Sequence, residues 1–176
     1  MAVDFIGDVH GHADELEALL KGLGYAERGG CYRHVHPDRH AVFLGDYIDR
    51  GPQQLRSVDV VRRMRDAGVA TALMGNHEHN AIGWFREDPD RPGHHLRVHG
   101  SKNRAQHGAF LAQVGEGSPL HRELIEWMET LPLAWSFRGA RAVHACWHPG
   151  KLAAVAGHAS RHGSLTENAL LASFRK

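Results

Sequence analysis

Eight residues in four short stretches carry side chains that can bind a cation or move a proton: Asp8 and His10, then Asp46, Asp49 and Arg50, then Asn76 and His77, and finally His144. Asp8 and His10 are two positions apart on an extended or turning backbone, so both can face one ion. Asp46 can bridge two ions through its two oxygens, while Asn76 and His144 add an amide oxygen and an imidazole. Mixed oxygen and nitrogen donors suit manganese, iron or zinc better than calcium or magnesium. Two such ions about 3.5 to 4 Å apart are an arrangement that hydrolyses phosphate esters, with both metals drawing charge from the phosphoryl oxygens. The crowding of Asp46, Asp49 and Arg50 between Gly45 and Gly51 is itself costly unless a cation compensates it.

His77 sits beside a candidate ligand and is expected to point at a leaving group. If Asp49 hydrogen-bonds it, the carboxylate raises its pKa and keeps it protonated as a general acid. Arg50 offers a planar fork suited to non-bridging phosphate oxygens. A helix cap for Asp49 and a surface ion pair for Arg50 are the plainer alternatives, and Glu78 reads as structural. Other chemistry fits less well. His77-Glu78-His79 is not H-E-x-x-H, because Ala81 occupies the fifth position, and there is no P-loop. Cys146 and His148 could touch a metal, although packing is the favoured reading. His99, Lys102, Arg104 and His107 form a basic cluster that lines a substrate entrance or, equally well, a solvated helix start.

The candidate residues need elements that deliver them to one place. Residues 3–6, 41–44 and 69–74 read as strands that end on Gly7-Asp8, Gly45-Asp46 and Gly75-Asn76. Each leads into helical sequence: residues 13–23 carry Leu16, Leu19, Leu20 and Leu23 at helical spacing, and a second stripe of Leu55, Val58 and Val61 follows Pro52 and runs to Ala67. In a parallel sheet of βαβ units the three loops converge on one edge. Further along, residues 105–114 and 120–130 read as helices, with Leu120, Leu124, Trp127, Met128 and Leu131 on a buried face. Residues 133–137 and 141–143 read as a hairpin ending on His144. Residues 27–39 form a hairpin or irregular excursion, residues 87–93 a solvated loop, and residues 165–174 a helix.

Taken in order, Asp8-Val9-His10, Gly45-Asp46-Tyr47-Ile48-Asp49-Arg50-Gly51, Gly75-Asn76-His77-Glu78 and Val143-His144-Ala145 resemble the signature of the calcineurin-like metallophosphoesterases. The resembling branch is the one related to serine/threonine protein phosphatases and symmetrical diadenosine tetraphosphatases. The resemblance implies an α/β fold, a β-sandwich flanked by helices (αββα). It also implies Asp8 and His10 on a first metal, Asp46 as the bridge, and Asn76 and His144 on a second. With two divalent transition-metal ions, manganese first and iron or zinc as alternatives, it implies a phosphoesterase acting through a metal-bridging hydroxide, with His77, Asp49 and Arg50 catalytic. A dinucleoside polyphosphate hydrolase is an alternative, as is a nuclease or cyclic-nucleotide phosphodiesterase on the same metals. The substrate is then a phosphoprotein or a nucleotide-like small molecule.

The length of 176 residues fits a single domain over 1–176, and a balance of 21 basic and 20 acidic side chains gives no broad surface for nucleic acid or membrane. Two distant cysteines, Cys31 and Cys146, no signal core and no long apolar run lead to the expectation of a soluble cytoplasmic protein. Members of the family continue past this last motif with further strands and a late metal-binding histidine. Only His158 stands in such a place here, so the chain is expected to be C-terminally incomplete. That expectation carries a competitor: a truncated, catalytically weak metal-binding protein.

Overall fold

The computed structural model describes residues 2–175. The chain runs β1 (Ala2–Ile6), α1 (Ala13–Gly22), β2 (Tyr25–Arg28), β3 (Cys31–His34), β4 (Arg39–Phe43), α2 (Gln54–Asp66) and β5 (Ala70–Ala72). It continues through α3 (Asn76–Phe85), α4 (Ser101–Val114), α5 (Pro119–Glu129), β6 (Ala134–Phe137), β7 (Ala140–Val143), α6 (Pro149–Ala156) and α7 (Glu167–Ser173). β1, β4 and β5 form a parallel sheet in that order, and β2–β3 and β6–β7 are antiparallel hairpins. Among the described residues no helix is long and apolar enough to cross a membrane.

Strand alternation gives the parallel sheet two unequal faces. Ile6, Phe43 and Ala72 point into the larger core, where Leu16 and Leu20 of α1, Val58, Val61 and Met64 of α2, and Ile125 and Met128 of α5 are buried with them. The opposite face turns Val42 and Leu73 toward Ala142 of β7, with Val3, Leu44 and Trp135 packed around them. The ring of Trp135 meets Phe5 of β1 edge-on at 6.0 Å. The second layer of the expected sandwich is therefore present, in the described residues, as the two-stranded hairpin β6–β7.

Helix starts and stops follow local chemistry. Ser118 caps α5 by accepting the His121 N–H, with Pro119 at the first helical position. Thr166 caps α7 in the same way. α4 begins at Ser101, four residues before the stretch expected from periodicity, and α6 begins at Pro149 in a segment the periodicity did not mark. Leu120 is 37 % exposed. It lies at the solvated start of α5 and not on its buried face, which is formed by His121, Leu124, Ile125, Trp127 and Met128.

Candidate metal centre

The sheet register brings the candidate residues together. Ile6 pairs with Phe43 and Phe43 with Ala72, so the three strands end level and their loops leave from one edge. The loops are then tied to one another through their backbones. Val9 and His10 donate their N–H groups to Asp46 O at 3.0 and 2.8 Å, Gly11 donates to Tyr47 O at 2.9 Å, and Gly51 donates to His10 O at 2.8 Å. Glu78, fully buried on α3, takes the N–H groups of Asp46 (2.8 Å), Tyr47 (2.7 Å) and Gly75 (3.0 Å). Burial, and then the neighbouring charge of Asp46, push its carboxyl up to about 7. Its role is the structural one expected from sequence.

Close approach explains the glycines that flank these motifs. A Cβ on Gly75 would lie 2.2 Å from Asp46 Oδ1 and 2.4 Å from Asp46 N, and one on Gly51 would lie 2.5 Å from His10 O. His10, Asp46, Asp49 and Arg50 all hold positive φ, from 48° to 71°. Left-handed backbone at non-glycine residues costs energy and persists where surrounding bonds over-determine it, typically at functional sites. Here the inter-loop bonds and the Gln54 side chain supply that constraint: buried Gln54 accepts the Asp49 N–H through Oε1 at 2.6 Å and donates from Nε2 to Gly51 O at 2.6 Å. Sequence reading did not single out Gln54, because its partners are backbone atoms that leave no trace in side-chain pattern.

The ligand atoms converge on Asp46 Oδ2. It lies 3.7 Å from His10 Nε2 and 3.6 Å from His144 Nε2, and His10 Nε2 lies 3.6 Å from Asp8 Oδ2. Two groups, His10 with Asp46 and His77, and Asp8 with Asp46 and His144, have donor atoms within 4.8 Å of one another. His10 Nδ1 faces Ile48 O at 3.0 Å and His144 Nδ1 faces Leu44 O at 2.8 Å. A carbonyl only accepts, so both Nδ1 atoms carry the hydrogen and both Nε2 lone pairs point into the site, the arrangement that orients metal-binding imidazoles. His10 Nε2 is buried without a hydrogen-bond partner. His144 Nε2 lies 2.9 Å from Asn76 Oδ1, acceptor against acceptor unless a cation or a proton is shared. These donors fit divalent transition metals.

His77 is held differently. Its Nδ1 meets a carboxylate, Asp49 Oδ2, at 2.6 Å, and its Nε2 lies 3.9 Å from Asp46 Oδ2. The hydrogen bond that His77 donates to Asp49 raises the His77 pKa above that of an ordinary imidazole, against a smaller opposing effect of burial. Arg50 is exposed on the turn after Asp49, and no hydrogen bond or ion pair engages its side chain among the described residues. The four loops thus bring Asp8, His10, Asp46, Asp49, Asn76, His77 and His144 together, with Arg50 at the rim.

Two expectations about neighbouring residues are corrected. His107 belongs neither to a solvated helix start nor to an entrance lining: it is fully buried and its Nδ1 lies 2.7 Å from Asp49 Oδ1. The rest of that cluster is outside the centre, with His99 stacked on Trp84 at 3.8 Å and Arg104 paired with Glu116. Cys146 is exposed, which removes the packing role. It lines, with Asn76, His144 and Lys151, a cavity of about 260 Å³, while His148 caps α6 by accepting the Lys151 N–H at 3.2 Å. His158 is exposed and belongs to neither candidate ligand group among the described residues.

A parallel sheet whose strand ends bring Asp, His and Asn donors together around the Asp46 carboxylate defines an α/β protein of the phosphoesterase type. The chain belongs to the calcineurin-like phosphoesterase family, whose model matches residues 1–169. It is 33 % identical over 133 residues to a bis(5'-nucleosyl)-tetraphosphatase PrpE (asymmetrical) of Oceanobacillus iheyensis, covering 76 % of this chain and 50 % of that protein. A protein of the same name from Bacillus velezensis is 31 % identical over 133 residues, covering 76 % and 51 %. Both relatives carry the asymmetrical designation, where the motif resemblance named the symmetrical enzymes. A solved structure provisionally assigned as a diadenosine tetraphosphatase superposes with a TM-score of 0.52 at 23 % identity, covering 84 % of this chain and 51 % of that one, and shares the fold. The chain spans about half the length of the curated relatives it matches.

Proposed function

We propose that this chain is a phosphoesterase that holds two divalent transition-metal ions, manganese by preference, and hydrolyses phosphate esters or anhydrides. The observation that carries the reading is the convergence of His10 and His144 on Asp46 Oδ2, each imidazole committing Nδ1 to a backbone carbonyl and presenting Nε2. Asp8, His10 and Asp46 would hold one ion, and Asp46, Asn76 and His144 the other. When bound, the ions supply Lewis acidity toward the phosphoryl oxygens and a water ionised near neutral pH.

The chain's own residues do the rest. His77 serves as proton donor: its Nε2 faces the centre 3.9 Å from Asp46 Oδ2, and the Asp49 carboxylate, which accepts from its Nδ1 at 2.6 Å, raises its affinity for the proton. As the bond from phosphorus to the leaving oxygen breaks, His77 Nε2 delivers its proton to that oxygen. Arg50, exposed and without a competing partner among the described residues, is free to take the non-bridging phosphate oxygens on its planar fork.

Two relatives are named for bis(5'-nucleosyl) tetraphosphate, so we place a dinucleoside polyphosphate first among natural substrates and a phosphoprotein second. Metal analysis after dialysis against manganese, joined to hydrolysis of p-nitrophenyl phosphate and of diadenosine tetraphosphate, tests the reading. Two ions per chain and manganese-dependent turnover of either substrate are expected. A chain that binds both ions and turns over neither is a metal-binding protein and overturns it.

A further inference from the structure

We propose that His107 is a positioning residue for proton donation: its imidazole holds one oxygen of Asp49 so that the other stays against His77. The proposal rests on the reading of His77 as the proton donor. Its ground is a three-membered chain of contacts, His107 Nδ1 to Asp49 Oδ1 at 2.7 Å and Asp49 Oδ2 to His77 Nδ1 at 2.6 Å. The side chains of Asp49 and His107 are 1 % and 0 % exposed, so water does not stand in for either contact. Asp49 sits on strained backbone at φ 71° and reaches both histidines from the loop after β4, while His107 comes from α4, 58 residues further along the chain.

Packing alone does not account for the histidine. Its ring lies against Phe110 at 5.0 Å and Trp84 at 5.9 Å, an apolar setting that phenylalanine would fill. The other ring nitrogen, Nε2, is buried with no partner, and a buried unpaired nitrogen is a cost. The polar contact that stands against that cost is the one to Asp49. With His107 gone, Asp49 Oδ1 would be buried with no partner among the described residues, and the carboxylate would be free to turn about its last torsion and leave His77 Nδ1.

The test exploits the fact that an acidic leaving group departs without help from a proton donor and a basic one does not. Hydrolysis of phenyl phosphate and of 2,4-dinitrophenyl phosphate is measured with manganese for the wild type and for His107→Phe, His107→Asn and His107→Gln. We expect His107→Phe to lower kcat for phenyl phosphate by about a hundredfold and for the dinitrophenyl ester by under about threefold. Asparagine places an amide N–H near the position of Nδ1 and glutamine near that of Nε2, so His107→Asn is expected to recover most of the phenyl phosphate activity and His107→Gln little. If His107→Phe fails to fold, as read by circular dichroism, the asparagine and glutamine pair decides alone. Equal losses on both esters, no loss on either, or asparagine and glutamine behaving alike overturns the inference. A wild type inactive on both esters overturns the phosphoesterase reading and the inference with it, whereas an active wild type with losses blind to the leaving group overturns the inference only.

Discussion

The two sides of the candidate metal centre are built to different standards. On the N-terminal side, Asp8, His10, Asp46 and Asn76 sit on loops whose backbones bond to one another and to the buried Glu78 carboxylate, above a face of the sheet that closes on the large core. On the C-terminal side, His144 arrives from hairpin β6–β7, which meets the sheet through the small cluster of Val42, Leu73 and Ala142. Its ring is held between Leu44 O, 2.8 Å from Nδ1, and Asn76 Oδ1, 2.9 Å from Nε2. Loops set by a web of backbone bonds move only if the fold moves. A hairpin held by a thin contact can shift alone.

The largest expected effect strikes what the two sides share. Asp46→Asn removes a charge and one oxygen donor where both ligand groups meet, and is expected to lower manganese-dependent turnover by about a thousandfold or more while the chain stays folded. Steady-state kinetics alongside thermal melting check it; an active Asp46→Asn chain would show that Asp46 is not the bridge.

Next comes the N-terminal side alone. Glu78→Gln replaces an oxygen with an N–H₂ group where the backbone offers only N–H donors, leaving at least one buried donor unpaired. The expected cost is about 1–3 kcal/mol of stability, read from denaturant unfolding with and without manganese. The C-terminal side is probed by Trp135→Ala, which removes the half-buried ring that meets Phe5. Here the second ion is expected to bind about tenfold more weakly, with the melting temperature falling by only a few degrees. Calorimetric titration that finds both ions weakened alike would erase the distinction between the two sides.

The same contrast accounts for what the sequence disclosed. Asp8, Asp46 and Asn76 were legible because each closes an apolar run, and parallel register then fixes where such runs end. The pairing of Asp49 with His77 was legible from their chemistry once both were placed on that edge. His107 was misplaced because the polar start of α4, Ser101 to Arg104, masks its stripe. Yet 107, 110, 111 and 114 keep helical spacing, and His107 shares that buried face with Phe110, Leu111 and Val114. A histidine on an apolar stripe was the signal available. Gln54 had none of this kind, since it serves backbone atoms. How far the second layer extends could not be read from pattern either, because residues 133–143 read as two strands whether two or six lie beside them.

The smallest effect lies in the larger core, away from the centre, and turns on pH. Asp4 of β1 has its side chain 8 % exposed. It accepts hydrogen bonds from Arg39 Nε at 3.0 Å and from the Tyr25 hydroxyl at 2.9 Å. The Arg39 bond holds its carboxyl below the ordinary carboxylate value, outweighing burial, with Tyr25 adding to the effect. A carboxyl depressed by folding contributes stability that is fully present above the unfolded pKa of about 3.9 and is lost as pH falls through the folded one. Asp4→Asn is therefore expected to cost about 1 kcal/mol at neutral pH and to flatten the acid limb of the stability curve below about pH 4. Urea unfolding across that range measures both parts. If the variant and the wild type lose stability in parallel down the acid limb, the acid sensitivity belongs to other carboxylates, and the face of the sheet that carries Asp4 is no more acid-dependent than the face that carries the hairpin.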